Sequence, residues 1–442
     1  MRAYDPRIDR ALDAFEHEEI PEMVPESLPL LDALRTHFPE PAAFDDLDVL
    51  FIQHHLGPFT ARLKAMRADG LDMGRAWFID IPYSTSRKAR EAAHAGCPAG
   101  HRVELLDDPL EPYSEAQLAR ALILIRELAA RKRGKLLVVD DGAYFLRSLH
   151  LLRVTRPDLA RAFAGTRVVE QTTRGHRVVQ RSATLIADLE LSVVSIARCA
   201  TKLGFESPFI GAAVSRAIAR AVQANADLTD GFRRAAVLGF GPVGEAVTTA
   251  LRRAHESLRI HVVDPDTAKH DRIAQEGAAP LTELPDRLAE ADRYDLVAGC
   301  TGYNAFKLHE RRLLAKHAIL ASGSSAAVEF NRAGFIELAD AYPDDEIEVL
   351  NRDAVRAQGI HATITMRHEG GRVMHFLNAG FPVNFDGRME CLPARVIQAT
   401  HCLLYHAGRQ ALAAESPGVH RVDVEVDRWL LEQAPAALET SA

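Results

Sequence analysis

Apolar runs along the chain alternate with amphipathic stretches of helical period, and that alternation predicts most of the elements. Residues 1 to about 45 read as helical pieces with Pro-containing breaks, after which DLDVLFIQHHLG gives a strand ending on His54, His55 and Gly57. RAWFIDIPY, KLLVVDDG and TRVVEQTT are further strands, with helices over Thr60 to Met66, SRKAREAAHAG and EAQLARALILIRELAARK between them. Strands alternating with helices of this length imply a parallel sheet covered by helices. Ligands of such sheets lie beyond the C-terminal strand ends. His55, Ser84, Thr85, Asp140, Asp141, Gln171, Thr172 and Thr173 are therefore expected on one rim. Residues 183 to 224 read as an Ala-rich helical stretch interrupted near Gly204 to Pro208, which suggests a hinge. A second series begins at Ala235 with AAVLGF, RIHVVD, YDLVAGCT, HAILASG and EIEVL, then the hairpin-like pair HATITMRH and GRVMHFLN. A final helix is expected from about Pro393 to Ala414.

The second series opens with AAVLGFGPVGEAVTTALRRA, a G-x-G-x-x-G loop placed after a strand and at the start of a helix, the context in which this motif marks a dinucleotide site. Gly239 permits the tight turn, Gly241 lets a pyrophosphate approach the backbone, and Gly244 lets helix and strand pack closely. Phe240, Pro242 and Val243 complete the loop, and the helix start offers unpaired amides and a partial positive charge to phosphates. Asp264 ends the next strand, where an acid takes the ribose hydroxyls; no Arg follows directly, which favours NAD over NADP. Thr301 and Gly302 after YDLVAGC, and Ser322 to Ser325 after AIL, are expected at the same edge.

Composition narrows the class. With 442 residues, 47% hydrophobic and 26% charged, the chain has the balance of a globular enzyme, and its length favours two domains. No apolar run approaches the ~20 residues that span a bilayer, and the charged opening is unlike a signal peptide. A cytoplasmic protein with no membrane partner is expected. The five cysteines are scattered, without metal-site spacing. A net charge of -8 argues against nucleic acid, since phosphate backbones need a clustered basic surface.

The stretches HHLGPFTA, VVDDGAYF, VEQTTRGHRV, VLGFGPVGEA and GRVMHFLNAGFP together resemble S-adenosylhomocysteine hydrolase, adenosylhomocysteinase, from about residue 50 to 405. The resemblance implies an α/β fold of two Rossmann-like, doubly wound parallel-sheet domains with a cleft between them. Residues 1–205, completed by 383–415, would bind substrate, 206–382 would bind NAD, and 416–442 would form a tail. It implies a cycle in which NAD oxidises a substrate hydroxyl, the adjacent carbon acid eliminates a thiol, water adds, and the hydride returns. His55 and Asp141 would be acid/base groups, with His54 the blander of the two histidines. Thr172 and Thr173 would contact the nicotinamide end, as would Asn378; Thr60, Gln171 and His375 would bind substrate. A homo-oligomer is implied too.

The departures lie in the active centre. Phe59 replaces an adenine-reading Glu, and a ring cannot accept a hydrogen bond from an amine. Gln171 replaces a second Glu. In SVVSIARCATKLGFESP either Arg198 or Lys202 falls where the family has a catalytic Lys; Lys202 is preferred because Arg is a poor base, and the family's Asp four residues on has no evident counterpart. The C-terminal VDRWLLEQAPAALETSA lacks the family's Lys and Tyr that reach the neighbouring subunit. Four readings follow: the same cycle on a different nucleoside-like or thioether substrate, orthodox hydrolysis of S-adenosylhomocysteine, a plain NAD-dependent dehydrogenase, and a silent NAD-loaded sensor or scaffold.

Overall fold

A computed structural model of the chain describes residues 5–15, 18–19, 23–40, 42–103, 108–224, 232–341 and 347–439. The chain forms two compact units, each built on one sheet. Glu19–Leu106, Glu115–Glu206 and Gly387–Ala442 make one; Met1–Glu18, Asp107–Ser114 and Ser207–Asp386 make the other.

The first unit holds β1 (Leu47–Gln53), β2 (Ala76–Asp80), β3 (Lys135–Asp140), β4 (Arg167–Glu170), β5 (Ser192–Ser195) and, from the C-terminus, β14 (Gly418–Arg421). Their order is β14-β5-β4-β3-β1-β2, and every pairing is parallel. β1 and β2 are buried at every position, as expected where helices cover both faces. The helix Ala394–Ala413 buries Val396, Leu403 and Leu404, so the segment from Gly387 onward helps to build this unit's core.

The second unit holds β6 (Arg234–Leu238), β7 (Arg259–Val263), β8 (Ala279–Leu281), β9 (Tyr294–Gly299), β10 (Leu314–Ser322), β11 (Glu348–Val349), β12 (Ile364–His368) and β13 (Arg372–Phe376). The order β11-β12-β13-β10-β9-β6-β7-β8 runs parallel from β13 to β8 and ends in an antiparallel pair of steps. β6 is flanked by β7 on one side and β9 on the other, which makes its C-terminal end the switch point of a doubly wound sheet. The protein is thus α/β with two Rossmann-like sheets.

Three local expectations change. The stretch 183–224 is not helical throughout, because SVVS forms β5 inside it. A four-residue strand buried in the middle of a parallel sheet carries no alternation to betray it against Ala-rich flanks. The chain ends belong elsewhere than the linear division suggests. Arg216 donates to the carbonyls of Phe15 and Glu18, tying the first helix to the second unit. Asp427 accepts from the backbone N–H of Ala200 and Thr201, so the residues after 416 are an integral part of the first unit rather than a tail.

Candidate functional site

The glycine loop follows β6 directly. Gly239 has φ +90°, a region that strains any residue with a Cβ, and its N–H donates to Val263 O at 2.7 Å. A Cβ on Gly244 would stand 1.9 Å from the Gly239 carbonyl oxygen, so only glycine lets the helix Pro242–Ala254 start this close to the strand. A Cβ on Gly241 would meet nothing within 4 Å. Of the loop's three glycines, Gly241 alone leaves open space beside the backbone. Phe240 is buried in the unit's core, and Pro242 and Val243 open the helix, Val243 packing against that core.

Asp264 stands at the end of β7 and braces the loop: its Oδ2 accepts from Phe240 N–H at 2.8 Å and its Oδ1 from Asp266 N–H at 3.0 Å. Lys269 Nζ lies 2.8 Å from Oδ2, a partner that sequence reading did not assign. Burial works against the charge, but the hydrogen bonds from Lys269, Phe240 and Asp266 outweigh it and hold the carboxyl below its ordinary value. Lys269 lies five residues beyond the acid, and an ion pair across a loop of that length has no fixed spacing in a sequence.

Beyond β9 and β10 the loops are organised by a fully buried carboxyl, Glu329. It accepts from Thr301 Oγ1 at 2.9 Å, from Gly302 N–H at 2.5 Å and from the Ser324 hydroxyl. Burial drives its pKa up, and these donors offset only part of that. Thr301 and Gly302 lie at the expected edge, with the Thr301 methyl close to Gly239. Ser322 is buried at the end of β10, its hydroxyl directed to Ser324 O at 3.2 Å. Asn378 follows β13 in a left-handed turn at φ +50° and donates to Pro382 O at 2.9 Å, which makes it a structural pin of this edge. His375, the penultimate residue of β13, is buried and bonded to Thr365 on β12 at 3.2 Å.

The first unit gathers a second set at its C-terminal strand ends. His54 follows β1, Ser84 follows β2, Asp141 follows β3, and Gln171 and Thr172 follow β4. His54 Nδ1 is bonded to the Ser84 hydroxyl. His54 Nε2 lies 2.9 Å from Asp141 Oδ2, at ion-pair distance but off the line of a hydrogen bond. The geometry thus reverses the order of the two histidines, because adjacent residues leaving a strand point to opposite sides. His55 is fully buried, stacked on Phe59 at 4.9 Å and edge-on to His94 at 5.0 Å, and burial followed by the charge of Arg90 keeps its ring neutral. Phe59 packs on Phe51 and Thr60 donates to Ala89 O, and both lie buried beneath the rim.

Lys202 lies in a π-helical turn, Lys202–Glu206, and donates to Glu206 Oε1 at 2.5 Å. Thr400 Oγ1 is 3.4 Å from the same ammonium and is also bonded to Glu206. An acid four residues after the lysine is therefore present, contrary to the reading of the sequence; the side chain is one methylene longer than an Asp. Residues four apart meet on one helix face, so the pair has ordinary i,i+4 spacing.

Thr172 caps the helix Thr173–Arg181, accepting from Gly175 N–H and donating to Glu170 Oε1 at 2.8 Å. Thr173 is exposed on the first turn, and Gln171 Oε1 is buried with no partner among the described residues. Glu170 also accepts from the backbone N–H of Ala143 at 2.9 Å and of Thr172 at 2.7 Å. Asp140 accepts from Phe145 N–H at 2.8 Å and holds the start of the next helix. Burial raises both acids, Asp140 to about 7 and Glu170 well above the carboxylate range, and each charge opposes the other.

The sign of that shift gives a stability prediction. Asp140 moves from 3.8 to about 7 on folding, so the folded state holds a proton that the unfolded chain has released. Its contribution is fully present below pH 3.8 and is lost as pH rises through about 7. Urea unfolding across this window is expected to show falling stability in the wild type and a flatter profile in Asp140→Asn; equal slopes would refute the assignment.

No family model matches the chain. It is 27% identical over 372 residues to uncharacterised proteins from two strains of Mycobacterium tuberculosis, an alignment that covers 83% of this chain and 64% of each relative. The chain therefore matches less than two thirds of the length of these curated relatives. Among solved structures, the A chain of dipicolinate synthase from Bacillus subtilis is similar at a TM-score of 0.33 and 9% identity, covering 62% of this chain and 79% of that one. L-tryptophan dehydrogenase from Nostoc punctiforme is similar at a TM-score of 0.26 and 16% identity, covering 61% of this chain and 75% of that one.

Proposed function

We propose that this protein is an NAD-dependent enzyme that transiently oxidises a substrate hydroxyl to drive elimination or addition at a neighbouring carbon. The cycle is adenosylhomocysteinase-like, on a nucleoside-like or thioether substrate other than S-adenosylhomocysteine. The β6–β13 unit fits the cofactor: Gly241 leaves room for a pyrophosphate, the helix Pro242–Ala254 begins at it, and Asp264 ends the adjacent strand. Bound NAD would supply a hydride acceptor that later returns the hydride to the same carbon.

The observation that carries the reading is the presence of two separate proton-handling pairs, His54 with Asp141 and Lys202 with Glu206, on the β1–β5 unit. A plain dehydrogenase moves one proton per turnover and needs one such pair. An oxidation followed by elimination moves two: one from the hydroxyl, and one from the carbon made acidic by the new ketone. Lys202 holds the hydroxyl oxygen and passes its proton to Glu206. His54, oriented by Asp141 and Ser84, takes the proton from carbon and delivers it to the leaving group.

Purified protein is expected to release NAD on denaturation and to accumulate no free reduced nicotinamide during turnover. With S-adenosylhomocysteine and a thiol reagent no thiol should form. Steady release of NADH would replace this reading with a dehydrogenase, thiol release with orthodox hydrolysis, and no affinity for NAD or NADP would remove the redox step altogether.

A further inference from the structure

Arg62 lies inside the first unit on the helix Gly57–Ala68, with 1% of its surface exposed. Its Nη2 donates to Gln53 Oε1 at 3.0 Å, at the end of β1, while Nε and Nη1 are buried and meet no acceptor among the described residues. Arg75, Arg332 and Arg409 are buried to a similar degree, and each is answered: Arg75 by Asp46 and Asp48, Arg409 by Glu40, Arg332 by the carbonyls of Pro109, Glu111 and Ala379. Arg62 has a neutral amide and the face of Phe59, 5.1 Å from the ring centre. The carboxylates of the rim do not serve it, since Asp141 pairs with His54 and Glu206 with Lys202.

Two neutral histidines lie within its electrostatic reach. The charge of Arg62 acts on both His55 and His401, and His401 also feels Lys202 and His54. Both ring nitrogens of His55 and Nδ1 of His401 are buried without a partner among the described residues. Burial pulls Arg62 down to about 9, which leaves it a cation at neutral pH. A cation out of water with unanswered donors is strongly unfavourable unless an anion completes it, and a guanidinium suits the oxygens of a carboxylate or phosphate better than any other side chain does.

We propose that Arg62, with His55 packed on the same Phe59 ring, receives a carboxylate or phosphate group of the substrate. The inference rests on reading the first unit as the substrate-binding one, and it makes the substrate an anion rather than a neutral nucleoside. The test is isothermal titration of the full chain, in the presence of NAD, with inorganic phosphate and separately with succinate. One of the two is expected to bind the wild type, and its affinity is expected to fall at least ten-fold in Arg62→Gln. Arg62→Met is the second variant, because a packed apolar chain replaces an unanswered buried cation without loss of folding. Failure of both probes to bind the wild type, or unchanged affinity in a folded variant, overturns the proposal. The arm that binds tells phosphate from carboxylate. Wild-type protein that binds NAD but neither oxyanion overturns the Arg62 assignment alone, whereas one that binds an oxyanion but not NAD overturns the redox reading alone.

Discussion

Gly241→Val is expected to abolish dinucleotide binding while changing the stability of the ligand-free protein by less than about 0.5 kcal/mol. The backbone there is extended, with φ −84° and ψ −175°, which a β-branched residue adopts readily. The new Cβ meets no protein atom within 4 Å, so nothing in the free protein opposes it. The same side chain fills the space in which a pyrophosphate would meet the helix start. Loss of at least ~100-fold in Kd follows, roughly 2.7 kcal/mol. Gly244→Ala behaves differently. Its Cβ falls 1.9 Å from one backbone atom of Gly239 and 2.9 Å from another, and neither can swing aside. The loop must open, and about 1–3 kcal/mol of stability is lost together with binding. Calorimetric titration with NAD and chemical unfolding separate the two variants; wild-type affinity in Gly241→Val would remove the loop from the cofactor site.

Lys202→Met is expected to cost about 10²–10⁴-fold in the rate of nicotinamide reduction during a single turnover. It also leaves Glu206 buried without its cation, at a cost of about 2–4 kcal/mol, taken below the range for a fully buried pair because the lysine keeps 15% of its side-chain exposure. Lys202→Met combined with Glu206→Leu should recover most of that stability and none of the rate. A purely structural ion pair would instead give a single-turnover rate that recovers with stability in the double variant, and a double-mutant cycle reads the difference. His54→Gln, by contrast, is expected to spare nicotinamide reduction and stop exchange of the substrate's carbon-bound proton with solvent deuterium.

How much of this was legible beforehand differs by element. The glycine loop was legible to the residue, since the tight turn at Gly239 and the close approach at Gly244 leave no other amino acid a place. Lys202 was legible as a candidate. Its partner Glu206 was legible too, four residues on at the spacing any helix allows, but it was passed over because the expected acid was an Asp. The carboxyls Glu170 and Glu329 gave no signal: Glu170 is served mostly by backbone N–H groups, and Glu329 by one N–H and two hydroxyls from loops distant or unpatterned in the sequence. Backbone donors are the same for every sequence and leave no trace in one.

The amino-acid sequence by itself determined that this is an α/β protein of two parallel-sheet units, that a Gly-x-Gly-x-x-Gly loop joins the first strand and helix of the second, and which strand ends bear the polar residues. These follow from local rules: period, glycine sterics, and the meaning of an acid after the second strand. Tertiary structure decided which of two adjacent histidines meets Asp141, how deeply Phe59 is buried, where the residues after Gly387 pack, and that Arg62 is a buried cation with no anion among the described residues. Each of those depends on residues distant in the chain or on the side to which a strand end turns, and no local pattern encodes either.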